Sequence, residues 1–304
     1  MQVTGSTGTA GRGVEMTRLG GRWRVTRPWP ARLRPFVHSY AGYWEAAGAV
    51  PYRVRLVPTG RAVLVISLGE PFAQVRRLGE SGPESQVTGS LVAGLEDGPR
   101  MCDHPGGQEA IRLELTPLGA YRLFAVPMRE LTNRVVGLCD VFGAEGGMLA
   151  EQLAATSNWG ARFDLLDIAL AARIERGPRP APEVCHAWRL LSHAGGAIPV
   201  SRIAAEVGWS QGYLIRKFTE QVGLTPKMSA RVLRFHRAVR LLSRGGANLT
   251  EVTAACGFYA AGVGRTVVGT AADLGPVGVV RVHGRDAVRA DEGTPAPVYG
   301  GHRR

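Results

Sequence analysis

The sequence predicts an α+β protein, in which a β-rich N-terminal domain, a small barrel or sandwich with helices, precedes an all-α domain. Three observations predict this. Short apolar stretches with Gly and Pro between them fill residues 28–155, a Pro-rich break occupies residues 176–183, and only helical patterns follow it. The chain has 304 residues, about twice the commonest domain size, which agrees with two domains.

The first part of the chain carries strand patterns. Residues 1–27 are rich in Gly, Thr and Arg without periodicity, which predicts a disordered lead-in. Within residues 28–155, the run 62–68 reads AVLVISL as a buried strand, and Ile111, Leu113 and Leu115 alternate with Arg112 and Glu114. The alternation predicts that Arg112 and Glu114 lie on a solvated sheet face, with a ligand cavity as the alternative.

A connector helix and a Pro-rich linker are predicted over residues 156–181. Asn158 is a good N-cap, and the apolar residues that follow it recur at helical spacing on one face: Phe163, Leu166, Leu170 and Ile174.

Residues 182–259 contain two short helical patterns joined by a tight turn, which predicts a helix-turn-helix. Gly208 permits the left-handed turn conformation and Ser210 can cap the second helix. Because Leu214 and Phe218 are expected to face inward, the side chains predicted to face a DNA groove or its phosphates are Gln211, Gly212, Ile215, Arg216, Lys217 and Lys227. The alternative is any small helical bundle with a Gly-Trp-Ser turn.

The charge distribution favours nucleic acid as the partner of this second part. The whole chain has a net charge of +12, residues 41–184 have −3, and residues 185–259 have +7.

Several classes of protein are not predicted. The sequence has no apolar run long enough for a membrane span and no secretory h-region, so a cytoplasmic location without membrane contact is expected. The four cysteines are far apart, which argues against a disulfide framework or a zinc ribbon. No cofactor, metal or catalytic residue is predicted, since nucleophile-elbow, P-loop and Rossmann patterns are missing.

Residues 200–242 resemble the first half of the AraC/XylS family DNA-binding domain. The matched positions are Ala204, Gly208, Ser210, Leu214, Phe218, Gly223 to Pro226, Arg234, Ala238, Leu241 and Leu242, and the Cys256-Gly257-Phe258-Tyr259 stretch resembles the opening of the second half. Upstream stretches resemble the sensor domain of an actinobacterial-type subgroup. The resemblance implies a transcriptional regulator, not an enzyme, that binds double-stranded DNA, with a sensor for a small-molecule effector or for dimerisation. RNA polymerase and a second copy of the chain are further candidate partners.

The pattern departs from the family after Tyr259, where glycines and valines oppose a second recognition helix. An irregular or disordered tail is therefore predicted for residues 260–304, from a frameshift or, alternatively, a divergent end with a strand pair through Val277 to Val282. Two other functions stay open. One is a cupin-like metal-dependent enzyme using Cys102, His104 and Glu109, which the ligand spacing disfavours. The other is a damaged regulator with one working helix-turn-helix.

Overall fold

The computed structural model describes residues 8–9, 14–19, 22–45, 52–69, 74–77, 85–86, 89–104, 106–243, 249–257 and 279–282. Two parts follow each other along the chain: a β-rich region (residues 14–176) and a helical region (residues 182–257). The predicted fold class is confirmed.

In the described part of the chain, two antiparallel sheets form the β-rich region. Counted over these residues, one has eight strands in the order β1-β2-β3-β4-β11-β6-β9-β12, and the other has five in the order β13-β5-β10-β7-β8. The strands are β1 (Gly8–Thr9), β2 (Glu15–Leu19), β3 (Arg22–Thr26), β4 (Val37–Glu45), β5 (Tyr52–Leu56), β6 (Ala62–Ser67), β7 (Gln74–Arg77), β8 (Ser85–Gln86), β9 (Leu91–Ala93), β10 (Arg100–His104), β11 (Glu109–Leu115), β12 (Val135–Gly137) and β13 (Val279–Val282).

Strand β11 is at the centre of the larger sheet, between β4 and β6. Directly opposed residues share a face of the sheet, so Leu113 lies beside Tyr40 and Leu64, and all three are buried. This apolar face packs against the helices. Gly42 on β4 permits a close approach there, because a Cβ on Gly42 would lie 2.0 Å from the ring of Trp159.

The helices are α1 (Pro117–Phe124), α2 (Leu138–Phe142), α3 (Ala144–Ala155), α4 (Trp159–Arg176), α5 (Pro182–His193), α6 (Val200–Glu206), α7 (Gln211–Val222), α8 (Pro226–Ser243) and α9 (Leu249–Ala255), with 3-10 turns at Ala31–Leu33 and Met128–Glu130. Helix α4 is the predicted connector helix. The Asn158 side chain accepts a hydrogen bond from the Ala161 amide at 3.2 Å, and the four predicted inward residues of α4 are buried.

A buried ionic network joins α4 to the end of β3. Arg27 donates to Asp167 at 2.5 Å, and the Tyr40 hydroxyl donates to the other oxygen of the same carboxylate at 2.9 Å. Burial raises the pKa of Asp167, although the hydrogen bonds from Tyr40 and Arg27 oppose this shift. The carboxylate is therefore stabilised by two donors from the sheet.

One hydrophobic core extends through both regions. The same cluster of buried side chains includes Ile111 in the sheet, Phe163 on α4 and Phe218 on α7. The Pro-rich residues between α4 and α5 join two regions that pack directly against each other.

The predicted disordered lead-in over residues 1–27 is wrong for residues 8–9, 15–19 and 22–26, which form β1, β2 and β3. Met16 pairs with Val25, and the Trp23 ring stacks on Trp44 of β4 at 5.5 Å. These strands are too short for a clear local period, and Val25 is buried in a core that includes residues distant in sequence.

The predicted irregular tail over residues 260–304 is wrong for residues 279–282. They form β13, antiparallel to β5, with Val279 opposite Leu56. A Val-Val-Arg-Val run has high β propensity, and it pairs with the edge of β5 on the side away from β10. The alternative prediction, a strand pair within the tail, also differs from the structure, because residues 279–282 pair with β5. The rest of this prediction, including the missing second recognition helix, lies outside the described residues.

Candidate DNA-binding surface

Helices α6 and α7 form the predicted helix-turn-helix. The turn between them is closed by the Trp209 amide, which donates to the Ala204 carbonyl at 3.0 Å, and Gly208 has φ +70°. Ser210 caps α7, since its hydroxyl accepts from the Tyr213 amide at 3.3 Å. Leu214 and Phe218 are fully buried, so the phase of α7 is as predicted.

This phase leaves one side of the first two turns of α7 open. Gln211, Gly212, Ile215 and Arg216 are all exposed, and we call these four residues the reading face. Nothing lies within 4 Å of the Cβ position of Gly212. In the described part of the chain, Arg216 has no carboxylate partner. The reading face thus offers an unpaired cation and an amide to a ligand.

The two predicted lysines have different surroundings. Lys217 is half-buried and donates to Glu220 at 3.0 Å. Both charges influence the pKa of Tyr121 on α1. Lys227 is exposed in the first turn of α8. The structure therefore places Lys217 at the contact with the β-rich region and leaves Lys227 open to solvent.

Sequence reasoning missed Tyr213 on the same surface. Its side chain is 41% exposed, the Arg216 guanidinium lies 4.8 Å from its ring centre, and the Trp209 ring meets it edge-on at 4.7 Å. Tyr213 is four positions after Trp209 and three before Arg216. Residues at these spacings are neighbours on a helix, so the spacing could have indicated the cluster of the three side chains.

The far end of α7 is fixed to the β-rich region. The Gly223 carbonyl accepts from the Thr132 hydroxyl at 2.8 Å, and the buried Gln221 side chain accepts from the Ala181 amide at 2.9 Å. Gly223 has φ +104° and a Cβ there would lie 3.2 Å from the Met128 carbonyl oxygen. Because these contacts involve the end of α7, the reading face stays uncovered.

Helix α8 also contacts the segment between β5 and β6. Leu233 and Val232 lie within 3.7 Å of the Cβ position of Gly60. One turn further along α8, burial and the cations of Arg61 and Arg240 lower the pKa of His236 to about 4.

A polar cluster occupies the face of β11 opposite to that of Leu113. Glu114 is 5% exposed and accepts from Arg61 and Arg112, each at 3.3 Å. Arg112 and Cys102 of β10 each influence the pKa of Tyr43, and Glu114 influences that of His236 on α8. The predicted solvated face is therefore wrong for Glu114, which is buried, whereas Arg112 is half-buried. The neighbours that cover Glu114 are distant in sequence, and a single strand pattern does not show them.

The buried His104 in this cluster leads to a prediction of how the stability of the protein depends on pH. Burial lowers its pKa to about 4, opposed by a hydrogen bond with Gln108 at 2.9 Å. Because the unfolded imidazole titrates near pH 6.5, the unfolded state binds more protons between about pH 6.5 and 4, and stability falls as pH decreases through this window. We expect His104→Gln to reduce this fall in urea unfolding at pH 7, 5.5 and 4.5. A slope equal to that of the wild type would contradict a buried neutral imidazole.

Two family models match the chain. A "Helix-turn-helix domain" model matches residues 203–262, and a "Domain of unknown function (DUF6597)" model matches residues 26–137. The first match spans α6 to α9. The chain therefore carries an AraC-type helix-turn-helix domain. It is a DNA-binding transcriptional regulator.

Solved structures give a partial likeness to AraC-type regulators. An apo ToxT variant from Vibrio cholerae strain SCE256 is 11% identical with a TM-score of 0.41, covering 78% of this chain and 94% of that one. Wild-type ToxT from the same strain with a bound unsaturated fatty acid is 12% identical with a TM-score of 0.39, covering 76% and 91%. The AraC-like transcriptional activator CuxR is 13% identical with a TM-score of 0.25, covering 72% and 77%. No curated protein matches the chain in sequence.

Helix α9 packs against the end of α8. Val252 and Cys256 pack with Ala238 of α8, and the Gly257 carbonyl accepts from Arg234 at 3.2 Å. Gly257 has φ +65°, as a turn after α9 requires.

The residues of the metal-enzyme alternative do not come together. Cys102 and His104 are 3.4 Å apart, but Glu109 pairs with Arg162 at 2.5 Å. Burial raises the pKa of the Cys102 thiol to about 12, so in the absence of a metal ion the thiol is protonated at neutral pH. Among the described residues, no three His, Cys, Asp or Glu side chains are grouped to hold a metal ion. No described helix is long and apolar enough to cross a membrane.

Proposed function

We propose that α7 enters the major groove of double-stranded DNA and that the reading face contacts the base edges. The observation that carries this proposal is the exposed Arg216, which has no carboxylate partner in the described part of the chain, on a capped helix whose opposite side is buried. The +7 charge of residues 185–259 supports it, because phosphate neutralisation supplies most of the non-specific affinity for DNA.

Each member of the reading face has a proposed role. Arg216 donates two hydrogen bonds to guanine and Gln211 pairs with adenine, which are the preferred geometries of these side chains. Gly212 allows close approach and Ile215 contacts a thymine methyl group. Lys227 contacts a phosphate, while Lys217 stays paired with Glu220.

The β-rich region is proposed to take a small polar effector between its sheets. Two buried donors support this: Gln108 Nε2 and Arg112 Nε have no hydrogen-bond partner within the described residues. An effector with acceptor atoms would satisfy them, and the common core would transmit its binding to α7. The chain thus regulates transcription and has no catalytic role, with RNA polymerase and a second copy of the chain as further proposed partners.

The proposed domain division follows the predicted one, with a β-rich domain to residue 155, a connector over residues 156–181 and the DNA-binding domain over residues 182–259. The β-rich domain begins before residue 28 in this proposal, because β2 and β3 belong to its sheet.

Selection of duplexes from a random library tests the DNA contact. We expect Arg216→Ala to lose preference at one base pair, a cost of about 1–3 kcal/mol, whereas Lys227→Ala lowers the salt slope by about 0.9 at unchanged preference. Lys217→Ala leaves the slope unchanged, since that ammonium is held by Glu220.

Arg179→Ala is the matched control, because Arg179 is exposed between α4 and α5, away from α7 in sequence. It should bind as the wild type does. Unchanged preference at every base pair in Arg216→Ala would show that α7 is not the reading helix.

A further inference from the structure

The reading face has few groups that can discriminate bases. Gly212 has no side chain and Ile215 has no polar atom, so hydrogen-bonded readout depends on Gln211 and Arg216. An exposed arginine has many rotamers, and fixing it in one geometry costs conformational entropy. Discrimination by this helix therefore depends on what orients Arg216 before DNA arrives.

Tyr213 lies one helical turn before Arg216 and supplies a surface for it. The guanidinium carbon of Arg216 is 4.8 Å from the centre of the Tyr213 ring, within the range of a cation–π contact. Residues three apart on a helix are neighbours, so this contact is compatible with regular α7 geometry.

The Tyr213 ring is itself held in place. Trp209 meets it edge-on, with ring centres 4.7 Å apart and an interplanar angle of 88°, the favoured arrangement for an aromatic pair. Trp209 is half-buried against the core, and its amide is bonded to Ala204 in the turn. Trp209 in the turn thus contacts the Tyr213 ring, and the Tyr213 ring contacts the Arg216 guanidinium.

We propose that Tyr213 is a positioning residue for Arg216 and thereby determines the base specificity of this domain. The ring holds the guanidinium plane in a defined orientation at the reading face, so that its paired donors are aligned for guanine. This inference rests on the proposed function of α7, and it deepens that function by assigning specificity to a residue that donates no hydrogen bond to the base.

The test uses the full chain and the duplex selected by the wild type, together with the same duplex changed at the base pair whose preference Arg216→Ala abolishes. The measured quantity is the ratio of the two affinities. We expect Tyr213→Ala to reduce this ratio about two- to fivefold, the equivalent of an exposed cation–π contact, with an unchanged salt slope. Tyr213→Phe should keep the ratio, because it keeps the ring.

The same substitution in the Arg216→Ala background separates positioning from direct contact. If Tyr213 acts through Arg216, Tyr213→Ala causes no further loss of affinity for the selected duplex in that background. An additive loss, a ratio unaffected by Tyr213→Ala, or an equal loss in Tyr213→Phe would each overturn the inference. Failure of the wild type to bind any duplex would instead overturn the proposed function together with this inference.

Discussion

Replacing Asp167 by alanine is expected to destabilise the fold by about 1–3 kcal/mol, because it leaves the buried Tyr40 hydroxyl without its acceptor and removes the buried carboxylate that pairs with Arg27. The Asp167 carboxylate accepts from Arg27 at 2.5 Å and from Tyr40 at 2.9 Å, and it is 4% exposed. Arg27 keeps its pair with Asp164, so the contact between the end of β3 and α4 is weakened and not lost. Urea unfolding at pH 7 measures the effect.

Asp164→Ala is the matched control for this prediction. Asp164 pairs with the same arginine at 2.7 Å but is largely exposed, and an exposed pair contributes at most about 1 kcal/mol. Equal losses for the two variants would show that burial does not decide the strength of this network.

Replacing Phe218 by alanine is expected to cost about 3–5 kcal/mol, the usual range for a large buried aromatic side chain. Phe218 on α7 is fully buried. Its ring lies 6.2 Å, centre to centre, from the Trp188 ring on α5. Since the same core contains residues of the sheet, we expect the loss to reach the β-rich region as well.

Hydrogen exchange distinguishes a common core from two independent ones. In Phe218→Ala, amides of β11 and of α7 should lose protection by a similar free energy. Met148→Ala is the control, since Met148 is 54% exposed on α3. Faster exchange confined to α5–α8, with β11 unchanged, would contradict the common core.

Local signals were sufficient for much of the helical region. The caps at Asn158 and Ser210 and the apolar spacing of Leu214 and Phe218 predict α4 and α7, because a helix is specified by contacts within a few residues. The exposure of Gln211 and Arg216 follows from the same phase.

Long-range pairing explains what the sequence did not reveal. Strands β2 and β3 are stabilised by β4, and the buried Glu114 pairs with Arg61, which is distant in sequence. The half-buried position of Lys217 could not be predicted for a similar reason, because its neighbour Tyr121 is distant in sequence.

The most direct test of the account is methylation interference on the duplex that the wild type selects. Methylation at guanine N7 blocks the major groove, whereas methylation at adenine N3 blocks the minor groove. We predict interference at a guanine N7 in the recognised segment, and its disappearance in Arg216→Ala. Interference at adenine N3 alone, or an N7 signal that persists in Arg216→Ala, would contradict major-groove reading by α7.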